Sequence, residues 1–140
     1  CTIERCFYFI HMKNTKSQMG QLGELVAANY LKKKGYQIIT TNFTNSFGRK
    51  IGEIDIIAKD MTEGELVFVE VKTRDYQKYH ATLPEENITY HKLQRLLKIA
   101  QVYLKMHFLI EHQYRFDAIS VWIDRINKKA KIKHLERIYL

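Results

Sequence analysis

Apolar residues along the chain follow two periods, and the switches between them mark its elements. Over residues 19–34, Leu22, Leu25, Val26 and Tyr30 recur at helical spacing, with Lys32, Lys33 and Lys34 in the last turn and Gly35 as a C-cap. Residues 36–41 (YQIITT) are β-rich and predict a short strand, and the polar run 42–50 (NFTNSFGRK) predicts a loop. Residues 51–58 and 65–74 predict two strands, with Asp60 to Gly64 as the turn of a hairpin. After a loop over 75–88, Leu93, Leu96, Leu97, Ala100 and Leu104 line one side of a second helix over 89–107, with Thr89 as its N-cap. Two more strands, 115–123 and 131–139, flank a turn near Asn127. The order helix, three strands, helix, two strands predicts a mixed α/β domain with helices packed on a sheet.

Within the hairpin the pattern can be taken further. If the turn centres between residues 62 and 63, Ile57 faces Phe68, Asp55 faces Glu70 and Glu53 faces Lys72, all on one side of the sheet. The other side carries Ile54, Ile56 and Ala58 against Val67, Val69 and Val71. A two-residue slip would change the pairs but keep the sides. Two carboxylates directly opposite each other destabilise a sheet, and both stay ionised only with a cation between them. Hard oxygen ligands suit Mg²⁺ or Mn²⁺ better than zinc. The same pattern also describes a plain hairpin with a surface Glu53–Lys72 ion pair and one carboxylate bonded to backbone, and both readings stand at this point. Glu24 shares its helix side with Ala27, Ala28 and Leu31, either reaching toward a site or favoured there by the helix dipole.

Charge sharpens this picture. The 140 residues carry a net +8, distributed as +6 over residues 1–50, −5 over 51–86 and +7 over 87–140. Basic flanks suit a polyanion such as nucleic acid, while the acidic centre would repel phosphate unless a cation lay between. On the second helix, His91, Lys92, Arg95 and Lys98 lie away from the leucines, as a phosphate-contacting surface or as an ordinary solvated face. With 46% hydrophobic residues the chain can build a core, and no apolar run is long enough for a membrane helix, so no membrane partner is expected. A Gly-rich phosphate-binding loop and a Ser-His-Asp arrangement are both missing, and the six histidines show no ligand spacing. Asp117 reads as structural or as a supporting acid, and His134 receives no role.

Residues 1–11 differ from the rest and read as a functionless addition upstream of a natural start at Met12. They hold both cysteines, Cys1 and Cys6, so the body has neither a disulfide framework nor a thiolate metal site, and a cytoplasmic location is expected. The expected organisation is a flexible N-terminal extension over 1–18 and one domain over 19–140.

The stretches GELVAANYLKKKGYQIITTNF, GEIDIIA, LVFVEVKTR and RFDAISV resemble the YraN-like family of small bacterial proteins, over roughly Met19 to Tyr139. That family is similar to restriction-endonuclease-like nucleases and archaeal Holliday-junction resolvases. The resemblance implies a restriction-endonuclease-like α/β fold, with a mixed four- to five-stranded sheet flanked by helices. It implies metal ligation by Asp55, Glu70, the Val71 carbonyl and Glu24, with Lys72 orienting or deprotonating the attacking water. Glu53, Arg74 and Asn42 match family motif positions in supporting roles, although the loop from Asn42 to Gly52 is a few residues longer than the usual pattern. Lys92, Arg95 and Lys98 would contact nucleic acid. The implied function is a Mg²⁺- or Mn²⁺-dependent endonuclease hydrolysing DNA phosphodiesters, with DNA favoured over RNA and branched or repair and recombination intermediates as candidate substrates. The resolvase analogy further implies a homodimer, since two symmetric cuts need two sites. The competing reading is a non-catalytic nucleic-acid-binding module of the same fold that acts with a partner.

Overall fold

The computed structural model describes residues 2–5, 16–79 and 89–138. Cys1, Cys6, the Phe7–Ile10 run, Pro84 and Tyr139 lie outside the described residues. The elements are β1 (Thr2–Arg5), α1 (Lys16–Lys33), β2 (Tyr36–Thr44), β3 (Glu53–Asp60), β4 (Leu66–Asp75), α2 (Tyr76–Tyr79), α3 (Tyr90–Met106), β5 (Tyr114–Asp124) and β6 (Lys129–Leu135). One sheet runs β1-β6-β5-β4-β3-β2. Only β4 and β5 are parallel, joined by the crossover that contains α3. This is the mixed sheet flanked by helices expected of a restriction-endonuclease-like α/β fold. Its five body strands follow the expected order, and Thr2–Arg5, assigned by sequence to the extension, pairs as a sixth strand with β6. Helix α1 begins at Lys16, three residues before the expected boundary.

The sheet separates two apolar layers. Val26, Ala27, Leu31, Ile56, Val67, Val69, Ile119 and Val121 close the α1 side. Ile54, Ile57, Phe68, Leu96, Ile99, Ala100 and Leu104 close the α3 side. Burial of each large aliphatic side chain contributes about 1.5–3 kcal/mol, so the two layers hold α1 and α3 against opposite faces of the sheet. Leu25, counted by period among the inward residues of α1, is 41% exposed. Thr89 caps α3 as expected, its hydroxyl accepting from the Lys92 N–H at 3.2 Å.

The observed β3–β4 pairs are Ile56↔Val69, Ile57↔Phe68, Ala58↔Val67 and Lys59↔Leu66, the register set by a turn centred between residues 62 and 63. The uniform alternation predicted for β3 fails at one point. Ile54 and Ile56 are two residues apart yet lie on opposite sides of the sheet, with Ile54 under α3 beside Ile57. Strand β2 pairs through Thr41↔Ile56 and Phe43↔Ile54, and between them Asn42 adopts a left-handed conformation (φ 54°) that asparagine tolerates well. The residue of β3 between these two pairs is Asp55, and the register of β2 against β3 shifts between Ile38 and Thr40. Asn42 to Thr44, assigned by sequence to the loop, belong to β2.

Candidate metal centre and basic groove

Asp55 stands where β3 and β4 part. The β3–β4 pairing ends at Ile56↔Val69, and beyond it the Val71 N–H donates to Asp55 Oδ2 at 2.7 Å. A backbone N–H points within the plane of its sheet, so this bond holds the carboxylate in the gap between the strands. Half of the plain-hairpin reading is therefore met, because one carboxylate does bond backbone. The other half is not, because Glu53 pairs with Lys50 (3.1 Å) and not with Lys72.

Three acidic side chains converge at this gap. Glu24, Glu53 and Asp55 each present a ligand atom within 4.8 Å of the other two. The Asn42 amide donates to Glu24 Oε2 and to Glu53 Oε1, both at 2.9 Å, and so ties α1 to β3 through β2. Although the loop that follows it is longer than the family pattern, the Asn42 side chain lies in the cluster. Glu70 approaches from β4, its Oε1 held by Lys92 Nζ at 2.5 Å. Lys92, expected to contact phosphate, lies half-buried at the notch and pairs with Glu70. Val71 is buried in the α1-side core while its main chain borders the gap. Lys72 is half-buried, and Arg74 follows two residues along the same strand.

Electrostatics follow this geometry. Burial, then the negative charges of Glu70 and Glu24, push the Asp55 carboxyl up to about 8 against the Val71 hydrogen bond that favours ionisation. Burial, then the positive charges of Lys92 and Arg74, lower the Lys72 ammonium, while Glu70 and Asp55 oppose the shift. The Asn42 hydrogen bond, helped by Lys50, holds Glu53 below the usual carboxylate range.

Glu24 is placed by its neighbour in sequence. A Cβ on Gly23 would lie 1.7 Å from Thr73 Oγ1, so α1 crosses β4 at a distance that only glycine allows. Gly20, on the same helix, has nothing within 4 Å. Gly20→Ala should therefore gain up to about 1 kcal/mol from helix propensity. Gly23→Ala should lose about 1–3 kcal/mol through overpacking, and Thr73→Ala in the same chain should recover part of it. Urea titrations of the variants measure all three.

Beside the acidic notch, which encloses about 300 Å³ and is lined by Asp55, Glu53, Glu70, Lys92 and Arg95, runs a groove of about 540 Å³. Arg49, Lys50, Arg95, Lys98 and Lys105 line the groove, and Arg95 borders both spaces. Of the helix cations expected at nucleic acid, Arg95 and Lys98 are exposed on this groove. Lys50, Arg49 and Lys105 were missed by sequence. The only signals were the Arg49-Lys50 pair in the long loop and the position of Lys105 seven residues after Lys98, two turns along the same side of α3.

These elements define a class: a restriction-endonuclease-like α/β domain with an acidic notch where its mixed sheet splits. The chain belongs to the uncharacterised protein family UPF0102, whose profile matches residues 23–121, in keeping with the YraN-like motifs. It is 45% identical over 112 residues to a UPF0102 protein of Caldanaerobacter subterraneus subsp. tengcongensis, covering 80% of this chain and 85% of the relative. A UPF0102 protein of Caldicellulosiruptor bescii is 40% identical over 116 residues, covering 82% and 91%. One from Clostridium botulinum (strain Loch Maree) is 37% identical over 129 residues, covering 91% and 98%. Among the described residues no helix is long and apolar enough to cross a membrane.

Proposed function

We propose that this protein is a metal-dependent endonuclease that hydrolyses DNA phosphodiesters at the notch. The observation that carries the reading is the Asp55 carboxylate, held in the sheet gap beside Glu24, Glu53 and Glu70 with the Lys72 ammonium on the neighbouring strand. The donor set fits a hard divalent cation, because every ligand atom offered is a carboxylate oxygen, and burial together with the charges of Glu70 and Glu24 disfavours an ionised Asp55 without a cation beside it. Glu24, Glu53 and Asp55 would hold Mg²⁺ or Mn²⁺, with Glu70 at the border. When bound, such an ion supplies Lewis-acid polarisation of a phosphoryl oxygen and a more acidic water.

The remaining work falls to the chain's own groups. Lys72, its ammonium loosened by burial and by Lys92 and Arg74, can orient the attacking water and pass a proton near neutral pH more readily than an exposed lysine. Arg95 at the rim and Lys92 within the notch offset the charge of an entering phosphate. Asn42 and the Gly23 contact position Glu24 and do not need to touch substrate.

Lys72→Ala tests this directly. Cleavage of branched, flapped and linear DNA in Mg²⁺ or Mn²⁺ should fall by about a hundredfold or more, the usual contribution of a positioned proton-transfer group, while DNA binding persists. Undiminished cleavage by the variant removes Lys72 from the reaction. Binding without cleavage by the wild type under all these conditions leaves the non-catalytic module as the function.

A further inference from the structure

The loop between β2 and β3 has no part in the reaction described above, yet it is built to hold one side chain in solvent. Asn45 Nδ2 donates to the Phe47 carbonyl (2.8 Å) and to the Arg49 carbonyl (3.0 Å), and Asn45 Oδ1 accepts from the Ile51 N–H (2.9 Å). One amide thus closes the loop on itself, and Gly48 supplies the left-handed residue that the turn requires (φ 73°). At its tip Phe47 is 91% exposed, with Arg49 and Lys50 directly following. A phenyl ring left in solvent forgoes the gain of burial and keeps its apolar face open to a planar partner.

The surroundings state what the ring could meet. The same loop forms one wall of the basic groove through Arg49, Lys50 and Ile51, and α3 forms the other through Arg95, Lys98 and Lys105. Among the described residues no carboxylate lines this groove. Lys50 also reaches Glu53, and Arg95 also borders the notch, so the groove leads into the acidic cluster. A row of cations that tracks a phosphate backbone, with an exposed aromatic face beside it, is the combination that binds unpaired nucleotides.

We propose that Phe47 is a stacking platform for an unpaired base, and that the groove along α3 carries the phosphates of the strand leading to the notch. The substrate class is then DNA with a single-stranded or flapped segment beside the scissile bond, not uniform duplex. This deepens the nuclease reading and rests on it.

The test is binding, measured by fluorescence anisotropy in EDTA with the full chain, on a duplex bearing a three-nucleotide flap and on a fully paired duplex of equal length. The wild type should favour the flapped DNA. Phe47→Ala should weaken flap binding by about tenfold, the lower range for loss of one base–aromatic stack, and leave duplex binding and thermal stability unchanged. Phe47→Trp should keep the preference, and its added indole emission should be quenched by flap DNA. Lys98→Ala with Lys105→Ala should weaken both DNAs alike and reduce the salt slope by about two. Equal flap binding by Phe47→Ala and wild type, with the lysine effects intact, overturns the platform and leaves the nucleic-acid reading standing. No salt-dependent binding of either DNA by the wild type overturns both.

Discussion

Asp55→Asn is expected to lower DNA cleavage by on the order of a thousandfold, the effect of removing a few kcal/mol of transition-state stabilisation, and to make the metal-free protein more stable at high pH. The second result follows from the shift of the carboxyl. An unfolded aspartate titrates near about 3.9, whereas burial and the neighbouring carboxylates push Asp55 in the folded chain up to about 8. Between those values the folded protein holds a proton that the unfolded chain has released. Wild-type stability therefore falls as pH rises from about 4 to about 8 and stays at the lower level above. Asparagine never ionises, and its side-chain oxygen still accepts the Val71 N–H. The variant should match wild type near pH 4 and exceed it at pH 8.5 by on the order of a few kcal/mol. Mg²⁺ or Mn²⁺ should raise the Tm of the wild type at pH 8.5 and not that of the variant. Denaturant titrations at the two pH values, with and without metal, measure this, and an equal metal effect on both proteins places the cation elsewhere.

Arg115→Ala should be the most damaging single change to the fold, costing about 3–5 kcal/mol. The guanidinium is nearly inaccessible. It donates through Nε to Asp117 Oδ1 at 3.1 Å, through Nη1 to Asp60 Oδ2 at 3.0 Å and through Nη2 to the Tyr36 hydroxyl at 2.6 Å. Asp117 is fully buried and also bonds His134 Nε2 at 2.7 Å and the Arg137 N–H at 3.0 Å, while Tyr30 contacts the other nitrogen of His134. Removing Arg115 leaves Asp117 and Asp60 as buried charges without their main partner. The same bonds fix an acid limit. Burial alone would raise Asp117, but His134 and Arg115 override it and hold the carboxyl below its ordinary value, as Arg115 and the turn amides do for Asp60. That stabilisation is complete above about pH 4, where an unfolded aspartate is ionised, and is lost as pH falls through the lower folded values. Thermal melts should show wild type losing stability below pH 4, and Arg115→Ala starting lower with a shallower acid slope.

This network shows where linear reading stops. Asp117 was legible as an acid that a strand interior does not hold idly, but the network around it draws on α1, β2, β3, β5 and β6. His134 is 17 residues away, Asp60 57 and Tyr30 87, and no local period links them. The candidate site is intermediate. Asp55, Glu70 and Lys72 could be placed on facing strands because period two and one turn determine a hairpin register. Lys92 could not be assigned to Glu70, because a helix face shows which residues leave its core but not how far the next element lies from them. Ile54 was set on the wrong side because alternation assumes a regular strand throughout, and β3 departs from it at Asp55, where its pairing with β4 ends.

From the chain alone came the order of the two long helices and five body strands, the α/β class, a hairpin register conditional on its turn and the acidic and basic segments, all properties of neighbours in sequence, where hydrophobic period and turn chemistry act. Tertiary structure decided that Asp55 lies in the sheet gap, that Glu24 reaches it across the Gly23–Thr73 contact, and that Arg49, Lys50 and α3 enclose one groove. Those outcomes depend on how closely separate elements approach, which is set by the packing of whole faces.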